Sequence, residues 1–152
     1  MTAAEIETAR TQPSFHQFSA WLAAFNSGDK DEYRQFLGSS FPTRTSSLNR
    51  DIDLRERTGG FEFRKLEQGS ATQVSGLVQE RDSDQFARFT LKVEPAEPHH
   101  ILWLSLMASP AAFPIRQLTE SEAIAAIKAQ VEKNVAAGRF AGTVLVAKNG
   151  KV

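Results

Sequence analysis

The chain has 152 residues, 41% of them apolar and eleven of them Phe, enough to build one well-packed core and too apolar for a disordered chain. Eighteen basic side chains balance eighteen acidic ones and no Lys/Arg block stands out, so neither nucleic acid nor an anionic membrane surface is expected as a partner. Cysteine is absent, which excludes disulfides and thiolate metal sites, and no apolar run is long enough to span a bilayer.

Residues 1–13 are polar, end at Pro13, and read as a loose tail or an extra helical turn; no charged, then apolar, leader sequence is visible in them. Ser14-Phe15-His16-Gln17 offers a capping box, with Ser14 as N-cap. Phe15, Phe18, Trp21, Leu22 and Phe25 follow at helical spacing, a stripe that needs a broad apolar surface to cover it. Asn26-Ser27-Gly28 stops that helix. Asp29 with Glu32 starts a short second one, which carries Tyr33, Phe36 and Leu37 inward and ends at Gly38. The segment 39–45, with Pro42, reads as a loop. Ser46 or Ser47 then caps a third helix on Leu48, Ile52 and Leu54, halted by Gly59-Gly60. Asp51, Asp53 and Glu56 read as its solvated face.

After Gly60 the period changes from helical to two. Phe61 and Phe63 alternate with Glu62 and Arg64 in a first strand, and 72–81 form a second, centred on Val74, Leu77 and Val78, whose Gly76 signals a bulge or bend. Ala87, Phe89, Leu91 and Val93 alternate with Arg88, Thr90 and Lys92 in a third, wet on one face. A fourth, over 99–108, carries apolar residues on both faces and is expected to be covered on both. The pattern predicts an α+β fold: N-terminal helices packed on a curved, four-stranded antiparallel sheet, then a further helix and strand. Two prolines and small residues over 109–118 mark a linker.

Thr119-Glu120-Ser121-Glu122 is a capping box for a helix with Ile124, Ile127, Val131 and Val135 on one face, and Gly138 can take positive φ just past its end. Phe140 to Ala147 is an apolar, β-branched run expected to be a strand, followed by Asn149-Gly150, the strongest short-range signal for a type I′ turn. Only two residues follow that turn, too few to pair a second strand, so the natural chain is expected to continue past Val152.

This last segment, from the helix through Gly-Arg-Phe-Ala-Gly-Thr-Val-Leu-Val-Ala-Lys-Asn-Gly-Lys-Val, resembles the opening of the catalytic domain of the β-lactamase-related, penicillin-binding-protein-like serine hydrolases. It covers roughly the last fifth of the chain and contains no catalytic group. A second resemblance, through Trp21-Leu22-Ala23-Ala24-Phe25-Asn26-Ser27-Gly28-Asp29, spans about residues 14–108 and is to the cystatin-like cone of nuclear transport factor 2, SnoaL-like cyclases and ketosteroid isomerases, without a helix between the first two strands. Together they imply a tail (1–13), a cystatin-like accessory domain (14–108), a linker (109–118), and the first helix and strand of a hydrolase domain (119–152). The hydrolase resemblance implies a periplasmic or secreted setting, and a downstream hydrolase domain as partner. A homodimer through the face carrying Arg88, Thr90 and Lys92 is a further partnership that the cone resemblance implies.

No catalytic residue, metal site or cofactor is assigned. The hydrolase family works with Ser-x-x-Lys, Tyr-x-Asn or Ser-x-Asn, and Lys-Thr-Gly motifs. Ser27-Gly28-Asp29-Lys30, Ser47-Leu48-Asn49 and Arg57-Thr58-Gly59 imitate them in order but are rejected: Ser27 falls in a turn between helices, and all three precede the segment that should open the domain. His99 and His100 are adjacent on a predicted strand and point to opposite faces, and His16 stands alone. The alternative to an accessory domain is a small-ligand-binding or isomerase/cyclase-like module whose cone mouth is lined by Trp21, Tyr33, Phe63, Arg88 and Trp103, with Tyr33 as oxyanion donor and Asp53 as base.

Overall fold

The computed structural model describes residues 1–110 and 117–150, which belong to two compact units, Met1–Pro114 and Ile115–Val152. Most of the expected linker, residues 111–116, lies outside the described residues, as do Lys151 and Val152.

The first unit is α+β. Helices α1 (Ala3–Arg10), α2 (Pro13–Ser27), α3 (Lys30–Ser40) and α4 (Leu48–Thr58), with a short 3-10 helix at Pro42–Ser47, precede strands β1 (Phe61–Gly69), β2 (Gln73–Glu80), β3 (Phe86–Val93) and β4 (Ile101–Ser109). The strands form an antiparallel meander in the order β1-β2-β3-β4. Register puts Phe63, Val78, Ala87 and Ala108 in one row, and Gly76, Phe89 and Leu106 in the next, all on the face that the helices cover.

Aromatic packing fills the space between α2 and the sheet. The Phe18 ring stacks on Phe89 at 3.9 Å between centroids, Phe25 stacks on Phe61 at 5.5 Å, and Phe15 meets Phe63 edge-on at 5.8 Å. Rings of this size bury the most apolar area per residue, so the α2 stripe is the main apolar contribution of the helical layer. Two positions fix the fit. Asn26 acts as a surrogate strand partner: its Oδ1 accepts from the Phe61 N–H and its Nδ2 donates to the Phe61 carbonyl, both at 2.8 Å. Gly76 lies under a bulged stretch of β1, where an added Cβ would come within 2.1 Å of the Lys65 carbonyl oxygen.

Several expectations are corrected. Residues 3–10 are a docked helix rather than a tail: Thr2 and Glu5 form a capping box, and buried Ala9 packs against Gly69. Pro13 occupies the first turn of α2, where its missing N–H costs nothing, so Ser14 is not a cap; its buried hydroxyl donates to the Ser70 carbonyl. Helix α3 runs through Gly38 to Ser40, because nothing there requires positive φ. Most of the predicted 39–45 loop is helical, the end of α3 and the start of the 3-10 helix. Strand β4 is covered on one face only: Trp103 and Met107 lie opposite Lys92 and Arg88 on the open face and are exposed, and a register shift between Lys92 and Val93 buries Ile101 with Leu104 and leaves Leu102 exposed.

The second unit contains α5 (Glu120–Ala136), begun by the expected Thr119/Glu122 capping box and followed by Gly138 at φ 66°. Asn149 and Gly150 take φ of 52° and 76°, the signs a type I′ turn demands. The run from Phe140 to Ala147 takes up no strand pairing, only an isolated bridge being present at Lys148. Helix α5 has no buried residue.

Candidate functional site

One ionic cluster lies inside the first unit, assembled from four helical segments. Asp51 sits in the first turn of α4, 2% exposed, and the 3-10 helix brings Arg44 onto it. The guanidinium grips the carboxylate with both arms, Nε to Oδ2 at 2.7 Å and a terminal NH2 to Oδ1 at 2.8 Å. Tyr33 of α3 donates its hydroxyl to Asp51 Oδ2 at 3.0 Å and accepts from the Trp21 indole N–H of α2 at 3.3 Å. A carboxylate this buried needs compensation, and it receives three charge-assisted or buried bonds.

These electrostatics suit a clamp. Burial, and secondarily the Asp51 charge, push the Tyr33 phenol well above its ordinary range. Burial pulls the Arg44 guanidinium down, but the Asp51 hydrogen bond and charge outweigh it and leave the group raised. Both Asp51 oxygens are engaged and the Tyr33 proton is directed at one of them, so the cluster offers neither a free base nor a free oxyanion donor. Its effect is to tie α2, α3, the 3-10 helix and α4 together.

The candidate pocket residues do not converge. Trp21 and Tyr33 are 1% exposed within the helical layer, and Phe63 packs beside Phe15, Phe18 and Phe89. Arg88 and Trp103 stand on the opposite, open face of the sheet. Asp53 is exposed on α4, two residues from the buried Asp51. None of the five lines the groove of about 660 Å³ between α1 and the β1–β2 turn, whose walls include Glu5, Thr8, Gln12 and Gln68. Asp51, expected on a solvated face, is the residue that sequence reasoning missed. Its bidentate partner Arg44 stands seven positions earlier in the 3-10 helix, and no local sequence signal joins the two.

On the open face, Arg88 pairs with Glu67 through Nε at 2.7 Å and NH2 at 3.2 Å, which holds the Glu67 carboxyl below the usual range and raises Arg88. Lys92 lies 6.0 Å from the ring centroid of Trp103, its cross-strand partner, and Thr90, between Arg88 and Lys92 along β3, is half-buried. His99 and His100 precede β4 rather than lying in it. Both turn to Glu94, His99 Nδ1 to its carbonyl at 2.9 Å and His100 Nδ1 to its carboxylate at 3.0 Å. Among the described residues no three His, Cys, Asp or Glu side chains cluster as a metal site would need. Ser27 ends α2 with its hydroxyl donating to the Ala24 carbonyl at 2.9 Å and accepting from the Asp29 N–H at 3.2 Å, a capping role at a helix end. Among the described residues no helix is long and apolar enough to cross a membrane. Comparison with protein-family models, with curated proteins and with solved structures gives no match for this chain.

Proposed function

We propose that the chain is the non-catalytic N-terminal region of a β-lactamase-related serine hydrolase, in which a cystatin-like body packs against, orients or dimerises the enzyme and α5 opens the catalytic domain. The observation that carries this reading is the contrast in completeness between the two units. The first fills its interior and satisfies its buried carboxylate. The second has a capped helix, a strand-like apolar run and type I′ turn geometry, yet α5 buries no side chain and Val144, Leu145 and Val146 are 46%, 68% and 44% exposed. Such a unit is the first layer of something larger. The engaged state of Tyr33 and Asp51 weighs against isomerase chemistry in the first unit.

Two experiments test the reading. The gene downstream of codon 152 is expected to encode a Ser-x-x-Lys helix; a stop codon there would overturn it. Hydrolysis of nitrocefin or of a p-nitrophenyl ester by the 152-residue chain is expected to stay at background, and turnover abolished by Ser27→Ala would place an active site where none is expected.

A further inference from the structure

The chain has four asparagines, and the structure sets one of them apart. Asn26 has both side-chain amide atoms committed to the Phe61 backbone, at 2.8 Å each. Asn49 and Asn134 lie within α4 and α5, where helical backbone turns the next N–H along the axis and away from the side-chain carbonyl, and where the following residues, Arg50 and Val135, crowd the approach. Asn149 alone precedes a glycine.

The surroundings of that dipeptide are open. Asn149 and Gly150 are both exposed, at φ of 52° and 76°, and among the described residues no hydrogen bond holds the Asn149 side chain. A Cβ built at Gly150 would meet nothing within 4 Å, so nothing shields the Gly150 nitrogen either. An asparagine whose side-chain carbonyl carbon can be reached by the next main-chain nitrogen closes a five-membered ring, and the main obstacle to that closure is a Cβ on the next residue.

We propose that Asn149–Gly150 is a self-modification site, at which the Gly150 nitrogen attacks Asn149 Cγ and the asparagine is converted, through a cyclic imide, to aspartate and isoaspartate. The Gly150 N–H gives its proton to solvent, the N–Cγ bond forms, the Cγ–Nδ2 bond breaks, and Nδ2 takes up a proton and leaves as ammonia. Water, the one co-reactant, then opens the imide. Cleavage of the N–Cγ bond gives aspartate, and cleavage between the same nitrogen and the main-chain carbonyl carbon of residue 149 gives isoaspartate. Either product puts a negative charge between Lys148 and Lys151. Isoaspartate also routes the main chain through the side-chain methylene, which a two-residue turn cannot accommodate, so the dipeptide that sets the turn also limits its lifetime. The inference concerns this dipeptide alone and does not rest on the hydrolase reading.

Incubating the 152-residue chain in neutral buffer at physiological temperature, and mapping its peptides by mass spectrometry over time, tests the proposal. Asn149 is expected to convert at least about tenfold faster than Asn26, Asn49 or Asn134, with isoaspartate recognised by isoaspartyl methyltransferase labelling. Gly150→Ala, which adds a methyl beside the attacking nitrogen, should slow the conversion at least about tenfold. Asn149→Gln, which would have to close a six-membered ring, should abolish it and leave the circular dichroism of the first unit unchanged. A synthetic peptide of residues 146–152 supplies the unconstrained rate, and the chain should fall within about fivefold of it. A slower rate than that overturns the proposal, because the turn would then be protected. Aspartate without isoaspartate also overturns it, since the side chain would be hydrolysed directly. So does faster conversion at any other asparagine. None of these outcomes bears on whether a hydrolase motif lies downstream in the gene.

Discussion

Helices α2 and α5 carry comparable apolar stripes and end at glycines in the left-handed region, yet their fates differ. On α2, Phe18, Trp21 and Phe25 are 1–3% exposed; on α5, Ile124, Ile127 and Val135 are 40–53% exposed. The signals that start and stop a helix are local and work in both. Burial requires a second surface; α2 has one in the sheet that follows it in the same unit, whereas among the described residues α5 has beside it only the partly exposed Val144 and Val146. A lone helix of this length is marginal in water, so α5 must draw stability from whatever comes to cover it. The two units therefore respond to the same kinds of substitution very differently.

The largest expected loss is Asp51→Ala. It strands the Arg44 guanidinium, whose side chain is 21% exposed, and removes the acceptor of the buried Tyr33 hydroxyl, so about 3–5 kcal/mol of the first unit's stability should disappear. Urea unfolding followed by fluorescence of buried Trp21 measures it, with the midpoint falling and the slope unchanged. Pairing Arg44→Met with Asp51→Leu should recover part of the loss, because the stranded charge goes with its partner. A single variant that loses under about 1 kcal/mol would mean that water, not Asp51, compensates Arg44, and that the first unit is less closed than its aromatic packing implies.

Gly76→Ala comes next. The added methyl would lie 2.1 Å from the Lys65 carbonyl oxygen and 2.8 Å from the Phe89 ring, and the first of these is backbone that can only move with β1. A cost of about 1–3 kcal/mol is expected, read from the same urea transition. Gly138→Ala in the second unit meets nothing within 4 Å and pays only for its positive φ, so the pair of glycines separates packing from backbone strain.

The fold could be read because its signals were periodic. The change from helical to two-residue spacing at Gly60 placed the sheet, and the alternation of Ala87, Phe89, Leu91 and Val93 with Arg88, Thr90 and Lys92 told its two faces apart. Strand β4 defeated that logic: with apolar residues on both faces it read as doubly covered, whereas a shift opposite Lys92 and Val93 moved Ile101 into phase with Leu104 and left Leu102 outside. A bulge is a property of the pair of strands, and one strand's sequence does not contain it. The ionic cluster was hidden for a related reason. Asp51 differs from Asp53 in nothing local; what buries one and solvates the other is the 3-10 helix that swings Arg44 across the start of α4. The strand at 140–147 had the right residues and no neighbour, so composition predicted a strand that pairing did not supply.

Tyr33→Phe sharpens the account of the first unit at a smaller cost, about 1 kcal/mol near neutrality, since Arg44 still holds Asp51. The pH dependence is more telling. Burial raises the folded phenol above its ordinary value of 10.0, so the folded chain keeps a proton that the unfolded chain gives up. The associated stability is complete below pH about 10 and is lost as pH rises toward the folded value. The chain has one tyrosine, so its phenolate absorbance should appear only with unfolding, and the gap in stability between the parent and Tyr33→Phe should narrow above pH about 10. Phenolate formation near pH 10 in the folded chain would mean that the hydroxyl reaches solvent.

The smallest effect is the most discriminating for the second unit. Ile127→Ala removes three carbons from a side chain that is 40% exposed and lines the groove beside Val144 and Val146. In a monomer it should change stability by no more than about 0.5 kcal/mol, the ordinary range for a surface position, where the same truncation in a filled core costs several times more. Because burial of the α5 stripe depends on a second surface, the penalty should grow with protein concentration if a second copy provides that surface. Thermal unfolding of the parent and of Ile127→Ala, compared at dilute and at concentrated protein, separates the cases. A difference that is large and independent of concentration would show that α5 already has a partner within its own chain, and the contrast between the two units would fail.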